Sequence, residues 1–472
     1  MSKQYISPAL VICIIGFTII HFITYFFHVE LLLTLLIFFG FGIILFGAIY
    51  YGPLHLKMPL GLFLTGVIIF LSVDTSFLAG MREGLLQMRN MVGLLVVIPM
   101  VSWVLREEAF LESAISYAHD FVDTSKKFYF GMVSFTQIIA YFLLFGAIPM
   151  IYQFVSMILK DEKGEAWERY KGTAILRGFA LSVLWVVSIP SFAYVVEAMG
   201  ASLWKSIVQG LGVAVLGTIV AILFFPLENR KYQVNFTRGL QHEIDEIMRH
   251  TKNKRETKRI VREFILLFVS LFGSIFILSA WINMELLVLI PLVILMWILC
   301  YYIVKRRLYK LTQIASLYIK EEMASKSYQL CVMIGAGMLI AGLTKTGFAG
   351  WVVNSLYALE AVAPFINLLY LLPFMVIILG FAGLGPLTVM VLVAGILQSI
   401  QLPYAPELIV LAVTLGSSLS ILLSPVIMPL IVLSDSNGLS SFKNGFQFNG
   451  VFAVVLYVLV MTYIQVMAYI TG

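Results

Sequence analysis

Apolar runs of about 20 residues, each closed by a short polar interval, recur along almost the whole chain, and a run of that length crosses roughly 30 Å of hydrocarbon as a helix. This pattern predicts helices near residues 7–27, 30–51, 58–80, 91–105, 178–199, 203–225, 264–281, 284–304, 329–343, 408–434 and 446–470. Two further apolar stretches, 128–159 and 364–401, are interrupted by FGAIP and GLGPLT. Glycine and proline there favour a reversal, so each stretch reads as a re-entrant hairpin that enters and leaves on one side. Residues 7–27 are too long for a signal-peptide core and read as a retained helix. The expected fold is an all-α polytopic membrane protein with about 11 transmembrane helices plus two re-entrant hairpins.

Composition agrees with this reading. Hydrophobic residues make up 61% of the 472 and charged residues only 12%, against roughly 25% charged in a soluble domain. Cys13, Cys300 and Cys331 are scattered through apolar runs, which suits packing and implies neither a disulfide framework nor a metal site. The net charge of +6 sits in short intervals between spans, where basic residues set orientation, so nucleic acid is not an expected partner.

The chain also resembles itself. The 36 residues from Gly178 lie without gaps on those from Gly416, an offset of 238 residues. Matched pairs include Gly178 with Gly416, Gly200 with Gly438, Ser202 with Ser440, Lys205 with Lys443, Gly212 with Gly450, and the acids Glu197 with Asp435. The same offset relates Arg82 and Glu83 to Lys320 and Glu321. Charge, however, changes sides between the halves. Residues 160–177 contain five basic residues while their mates at 398–415 hold only the acid Glu407, and 106–127 is highly charged while 344–365 is nearly neutral. Basic loops stay in the cytoplasm, so the halves are expected to be inverted repeats of opposite topology. With the N-terminus cytoplasmic and the C-terminus external, 27 of the 31 Lys and Arg residues fall inside, the exceptions being Arg82, Arg89, Lys205 and Lys345. The divisions are 1–81, a first repeat at 82–225, a mixed-charge linker at 226–263, further helices at 264–319, and a second repeat at 320–472. Residues 306–328, and 106–127 in the first half, suit amphipathic helices lying in the membrane interface, and lipid is an expected partner.

Both repeats break a helix at matching places, at Ser188, Pro190 and Ser191 and again at Ser424, Pro425 and Pro429. Hydrocarbon tolerates irregular backbone only where protein or a watery cavity covers it, so paired breaks point to one central site. Each break frees carbonyls able to ligate Na⁺ and creates a helix N-terminus that favours an anion. The hairpin tips, with Gly146 and Pro149 in one and Gly383, Gly385 and Thr388 in the other, are expected to supply the remaining wall. Asp74, Glu197 and Asp435 read as coupling or gating acids, with solvated interfacial acids as the competing reading. His21 reads as a packed or interfacial histidine, and Thr136, Gln137 and Gln153 either orient a hairpin, touch the solute or bond helix to helix.

This arrangement resembles the ion transporter superfamily, which contains the divalent anion:sodium symporters, citrate carriers and arsenite pumps. The resemblance implies a solute and cation site between hairpin tips and breaks, an elevator-like or rocking motion, and a homodimer. The tips here do not read Ser-Asn-Thr, the signature of dicarboxylate symporters, so that substrate is not implied. The expected function is secondary active transport of a small, anionic solute coupled to Na⁺ or H⁺, with no other cofactor. A membrane-embedded enzyme of glycan or lipid assembly, a channel, and a sensor on a transporter scaffold are the alternatives. Single cysteines test the layout: in intact cells, Ser202→Cys is expected to react with an impermeant maleimide and Lys163→Cys only after permeabilisation, and the reverse pattern would overturn the orientation.

Overall fold

The computed structural model describes residues 3–73, 76–108, 124–229, 254–348, 367–400 and 402–471, together with Phe110, Ser113, Phe236, Thr237, 350–352, 354–355 and Ala358. It is all-α. The helices are α1 (Lys3–Phe26), α2 (Glu30–Tyr51), α3 (Lys57–Ser72), α4 (Phe77–Gln87), α5 (Arg89–Val97), α6 (Val101–Leu105), α7 (Ser125–Leu143), α8 (Ala147–Ile158), α9 (Glu165–Ser182) and α10 (Pro190–Ala198). They continue with α11 (Leu203–Asn229), α12 (Lys254–Trp281), α13 (Leu286–Val304), α14 (Leu308–Leu317), α15 (Met323–Lys345), α16 (Leu368–Phe381), α17 (Pro386–Leu397), α18 (Pro406–Leu423), α19 (Met428–Asn437) and α20 (Phe448–Thr471). Among the described residues, ten helical stretches are long and apolar enough to cross a membrane. Stripes such as Leu211, Val215, Ile219 and Leu223 leave one face of α11 apolar and exposed, the surface a helix presents to hydrocarbon.

Several boundaries differ from the sequence reading. The span expected at 58–80 ends at Ser72, and Phe77–Leu105 forms one helical stretch instead of a short helix from residue 91. The helix expected to begin at 178 begins at Glu165. Residues 165–177 are therefore helix and not loop, and most of them are buried. Hydropathy excluded them because of their charges, yet Lys171 is matched within the helix by Glu168 and Arg177 by Asn449 and Phe448 from far along the chain. The amphipathic segment at 306–328 is α14, joined through a π-turn at Tyr318–Glu322 to α15. Most of its counterpart at 106–127 and most of the linker lie outside the described residues.

The chain forms two compact units, each drawing segments from both halves of the sequence. The first comprises Met1–Val104, Ser274–Phe365 and Val391–Leu402. Here α15 packs against α3 and α4 through small residues: a Cβ added at Gly66 would lie 2.6 Å from the Met338 carbonyl, and one at Gly335 2.6 Å from the Pro59 carbonyl. Such close backbone approach is how helices associate where lipid removes the hydrophobic drive. The Tyr318 hydroxyl donates to the Val96 carbonyl at 2.8 Å, Lys345 pairs with Glu83 at 2.9 Å, and His21 is fully buried against Gly93.

The second unit comprises Leu105–Gly273, Ile366–Met390 and Pro403–Gly472. It holds both interrupted helices. α9 and α10 are separated by an irregular stretch at 183–189, and α18 and α19 by one at 424–427. α7 packs on α9, and α16 packs on α18. In each case a glycine permits the approach: a Cβ at Gly178 would lie 2.5 Å from the Val133 carbonyl, and one at Gly416 2.8 Å from the Pro373 carbonyl. The next matched pair, Gly200 and Gly438, turns the chain after the broken helix with φ of +63° and +71°. The third, Gly212 and Gly450, has open space around both. Glycines matched in sequence thus do the same work in space.

Ion pairs fix the direction of the two broken helices. Lys205, at the start of α11, lies 4.0 Å from Glu407 in the first turn of α18. Its sequence mate Lys443 lies 2.6 Å from Glu165 in the first turn of α9. Each lysine reaches the first turn of the other half's broken helix, so α9–α10 and α18–α19 run antiparallel. Alanine substitution separates the glycine roles. Gly178→Ala and Gly416→Ala are expected to cost about 1–3 kcal/mol by overpacking, whereas Gly212→Ala and Gly450→Ala gain up to about 1 kcal/mol of helix propensity, as read from melting of the purified protein.

Candidate functional site

The prolines at the breaks start helices more than they kink them. Pro190 opens α10, and Pro429 occupies the first turn of α19. Proline suits that turn because its missing N–H would have no helical acceptor there. Pro425 lies within the second break itself, and Ser191, buried, follows Pro190.

A break also strands polar groups. The Ser188 hydroxyl donates to the Tyr141 carbonyl in the last turn of α7, and the Ser424 hydroxyl donates to the Gly380 carbonyl in the last turn of α16 at 3.0 Å. Both serines are buried. Each break serine thus bonds the arm that precedes its own broken helix, and the Gly380 carbonyl also accepts the Gly383 N–H at 3.2 Å. The expected site residues are thereby joined as two couples, one per half. Gln137 holds the first break from the side: its amide oxygen accepts from the Trp185 indole at 3.1 Å and its amide nitrogen donates to Thr218 at 3.1 Å. Its role is helix-to-helix bonding. Thr136 bonds back to Met132 on its own helix.

Three carbonyls at the breaks lie against glycine backbone. The Leu184 carbonyl lies 1.9 Å from where a Cβ on Gly210 would stand, and the Leu423 and Leu422 carbonyls lie 3.2 and 3.3 Å from that point on Gly445. The tips differ in character. Between α7 and α8 the backbone turns at Leu144, a non-glycine residue at φ +50°, two residues before exposed Gly146. Between α16 and α17 it turns at Gly383, at φ +90°, with Gly385 and buried Thr388 following. A branched residue held at positive φ is strained, and glycine is not.

Of the three candidate gating acids, Asp74 lies outside the described residues. Glu197 is half-buried near the end of α10. Asp435 lies in the last turn of α19 and borders an open cleft of about 760 Å³, together with Ser436 and with Pro149, Tyr152, Gln153 and Ser156 of α8. The structure thus brings Pro149, Gln153 and Asp435 together, a grouping that the sequence reading did not make.

Two buried cations were missed altogether. Lys171 pairs with Glu168 at 2.7 Å, donates to Ser156 at 3.2 Å and sits 5.0 Å over the Tyr152 ring, while the Tyr152 hydroxyl donates to Glu168. Arg177 is fully buried: its Nε donates to Asn449 at 2.8 Å, Nη1 to the Tyr129 hydroxyl at 3.1 Å and Nη2 to the Phe448 carbonyl at 3.2 Å, and its guanidinium stacks 4.5 Å over Phe452. Asn449 passes the chain of bonds to the Asn444 carbonyl at 2.8 Å, and Asn444 forms a reciprocal amide pair with Asn437 at the end of α19. The i, i+3 spacing of Glu168 and Lys171 was visible in sequence. Nothing local marked Arg177, whose acceptors Asn449 and Phe448 lie 272 and 271 residues away.

The chain matches no protein-family model and no curated protein. Among the described residues, no group of three or more His, Cys, Asp or Glu side chains is placed to hold a metal ion. The site's chemistry is therefore that of hydroxyls, amides, backbone and a few charges. Arg177→Lys is expected to destabilise the protein by about 3 kcal/mol, because an ammonium on a flexible stem does not reproduce the guanidinium's forked bonds and ring stacking. Ser424→Ala is expected to cost about 1–2 kcal/mol for the bond lost to Gly380. Melting in detergent checks both, and values near zero would remove these bonds as structural elements.

Proposed function

We propose that the chain is a secondary active transporter of the ion transporter superfamily type, carrying a small solute across the cell membrane with Na⁺ or H⁺. The observation that carries this reading is the pair of antiparallel broken helices. Each is interrupted at a matching sequence position, packed on a preceding arm through a matched glycine, and capped onto that arm by a buried serine. Two broken helices related in this way are what an inverted repeat builds at a transport site, where half-helix ends meet a solute near the midplane. The segments α7–α8 and α16–α17 correspond, in this reading, to re-entrant hairpins.

The compact units support the same reading. Both broken helices and α7, α8 and α16 belong to one unit, the body that a moving carrier requires. The pairs Lys205–Glu407 and Lys443–Glu165 place together the ends that positive-inside counting assigns to the outer and inner sides respectively. In this reading the N-terminus is cytoplasmic and the C-terminus external, and the resemblance implies a homodimer in the membrane.

A melting screen of the purified protein against carboxylates, oxyanions and neutral metabolites, with and without Na⁺ and at two pH values, tests the reading. A solute that stabilises only with Na⁺ or at the lower pH is expected. The same solute should accumulate in proteoliposomes only under the matching ion gradient. Downhill flux without coupling would make the protein a channel, and binding without flux a sensor.

A further inference from the structure

The end of α13 carries charge that neither broken helix uses. Its surface is apolar and exposed at Ile303 and Val304, which are 51% and 81% exposed, and basic residues begin at once with Lys305, Arg306 and Arg307. Lys310 and Lys320 follow, and no acid falls between residues 305 and 320, the next being Glu321 and Glu322. Tyrosine marks the same level: Tyr309 is 75% exposed, and the Lys305 ammonium lies 5.7 Å over the Tyr301 ring. Exposed apolar surface that gives way to tyrosine and basic side chains is what a helix presents where hydrocarbon meets headgroups.

The backbone singles out Arg306. It has φ of +54°, with its N–H on the Ile303 carbonyl and the Arg307 N–H on the Tyr302 carbonyl, each at 2.9 Å. This is the helix closure in which glycine is usual, and an arginine held there is strained. Strained residues cluster where a side chain is put to use. Arg306 is exposed, as is Lys320, and among the described residues neither side chain has an ion-pair or hydrogen-bond partner, whereas Lys305, Arg307 and Lys310 are engaged by other groups. Between these two cations lies α14, which has no buried residue and packs chiefly on its chain neighbours, α13 and the π-turn at Tyr318–Glu322. Its apolar side chains are half-exposed at Leu311 and Ile314 and exposed at Leu308 and Leu317. A ten-residue helix gains little stability by itself and needs a surface to lie on.

We propose that Arg306 and Lys320, at the two ends of α14, dock this face of the first unit onto acidic phospholipid headgroups, with the apolar side chains of α14 lying at the acyl boundary. The helix is about 15 Å long, so the two cations address neighbouring headgroups and not one pocket. An acidic lipid surface answers the unpaired cations and the uncovered apolar side chains together. A soluble anion would answer only the first, and a neutral lipid only the second. Binding of this kind does not depend on transport.

The test titrates the purified full-length protein, delipidated in neutral detergent, with dioleoylphosphatidylglycerol, dioleoylphosphatidylcholine or soluble glycerol phosphate, and follows thermal melting. A saturable rise in melting temperature is expected with phosphatidylglycerol alone, and a smaller one at high NaCl, because salt screens exposed charges. Arg306→Gly removes the charge and suits the φ of +54°, so without acidic lipid it should melt at or above the parent's temperature. Its half-saturating phosphatidylglycerol concentration should nevertheless rise about fivefold, the change for one basic residue near an acidic surface. Lys320→Gln should give a shift of similar size, and Arg306→Lys should titrate like the parent. The site is overturned by the absence of a rise with phosphatidylglycerol, by an equal rise with phosphatidylcholine or with glycerol phosphate, or by parental titration of both Arg306→Gly and Lys320→Gln.

Discussion

Inside a bilayer every backbone N–H and C=O must find its partner within the protein, and this constraint shapes the second unit more than any other. An unbroken helix meets it automatically. A helix interrupted at 183–189 or at 424–427 does not, and the protein answers each interruption with a hydroxyl from the break aimed at a carbonyl at the end of the neighbouring arm. The arm must then lie close, and glycine at 178 and at 416 makes that approach sterically possible. Break, cap and glycine form one arrangement, present twice.

The same constraint governs charge. Lys171 and Arg177 lie on a helix that hydropathy rejects, yet both are buried. A buried cation is tolerated when its donors are all used and its charge is met by a carboxylate or by ring faces. Lys171 meets this with Glu168, Ser156 and Tyr152; Arg177 draws on two amino-acid side chains, a backbone carbonyl and the Phe452 ring. These networks tie α9 to α8 on one side and to the start of α20 on the other. The first broken helix is thereby attached to elements from both halves of the sequence, in keeping with a compact unit that draws segments from both.

The apolar runs, the residue matches at an offset of 238 and the positions of both breaks could be read directly from the residues. Each depends on local information: a transfer free energy summed over a window, a matched glycine, or a proline that has no N–H to give. The matched glycines were legible as a pattern before their work was known, since sequence does not say whether a glycine is needed for a tight approach, as at 178 and 416, or for positive φ, as at 200 and 438.

Tertiary structure decided everything that depends on partners distant in the chain. It set the start of α9 at Glu165, where Glu165 is met by Lys443 and Arg177 by Asn449 and Phe448 from far along the chain, while Lys171 is met by Glu168 one turn away. It set the Leu184, Leu422 and Leu423 carbonyls against glycines on α11 and before α20, and it gave the break serines the Tyr141 and Gly380 carbonyls as partners. It also placed Asp435 and Gln153, two residues 282 positions apart, along one cleft between α8 and α19. A side chain's type is written in the sequence, but its electrostatic surroundings are set by whatever the fold packs beside it.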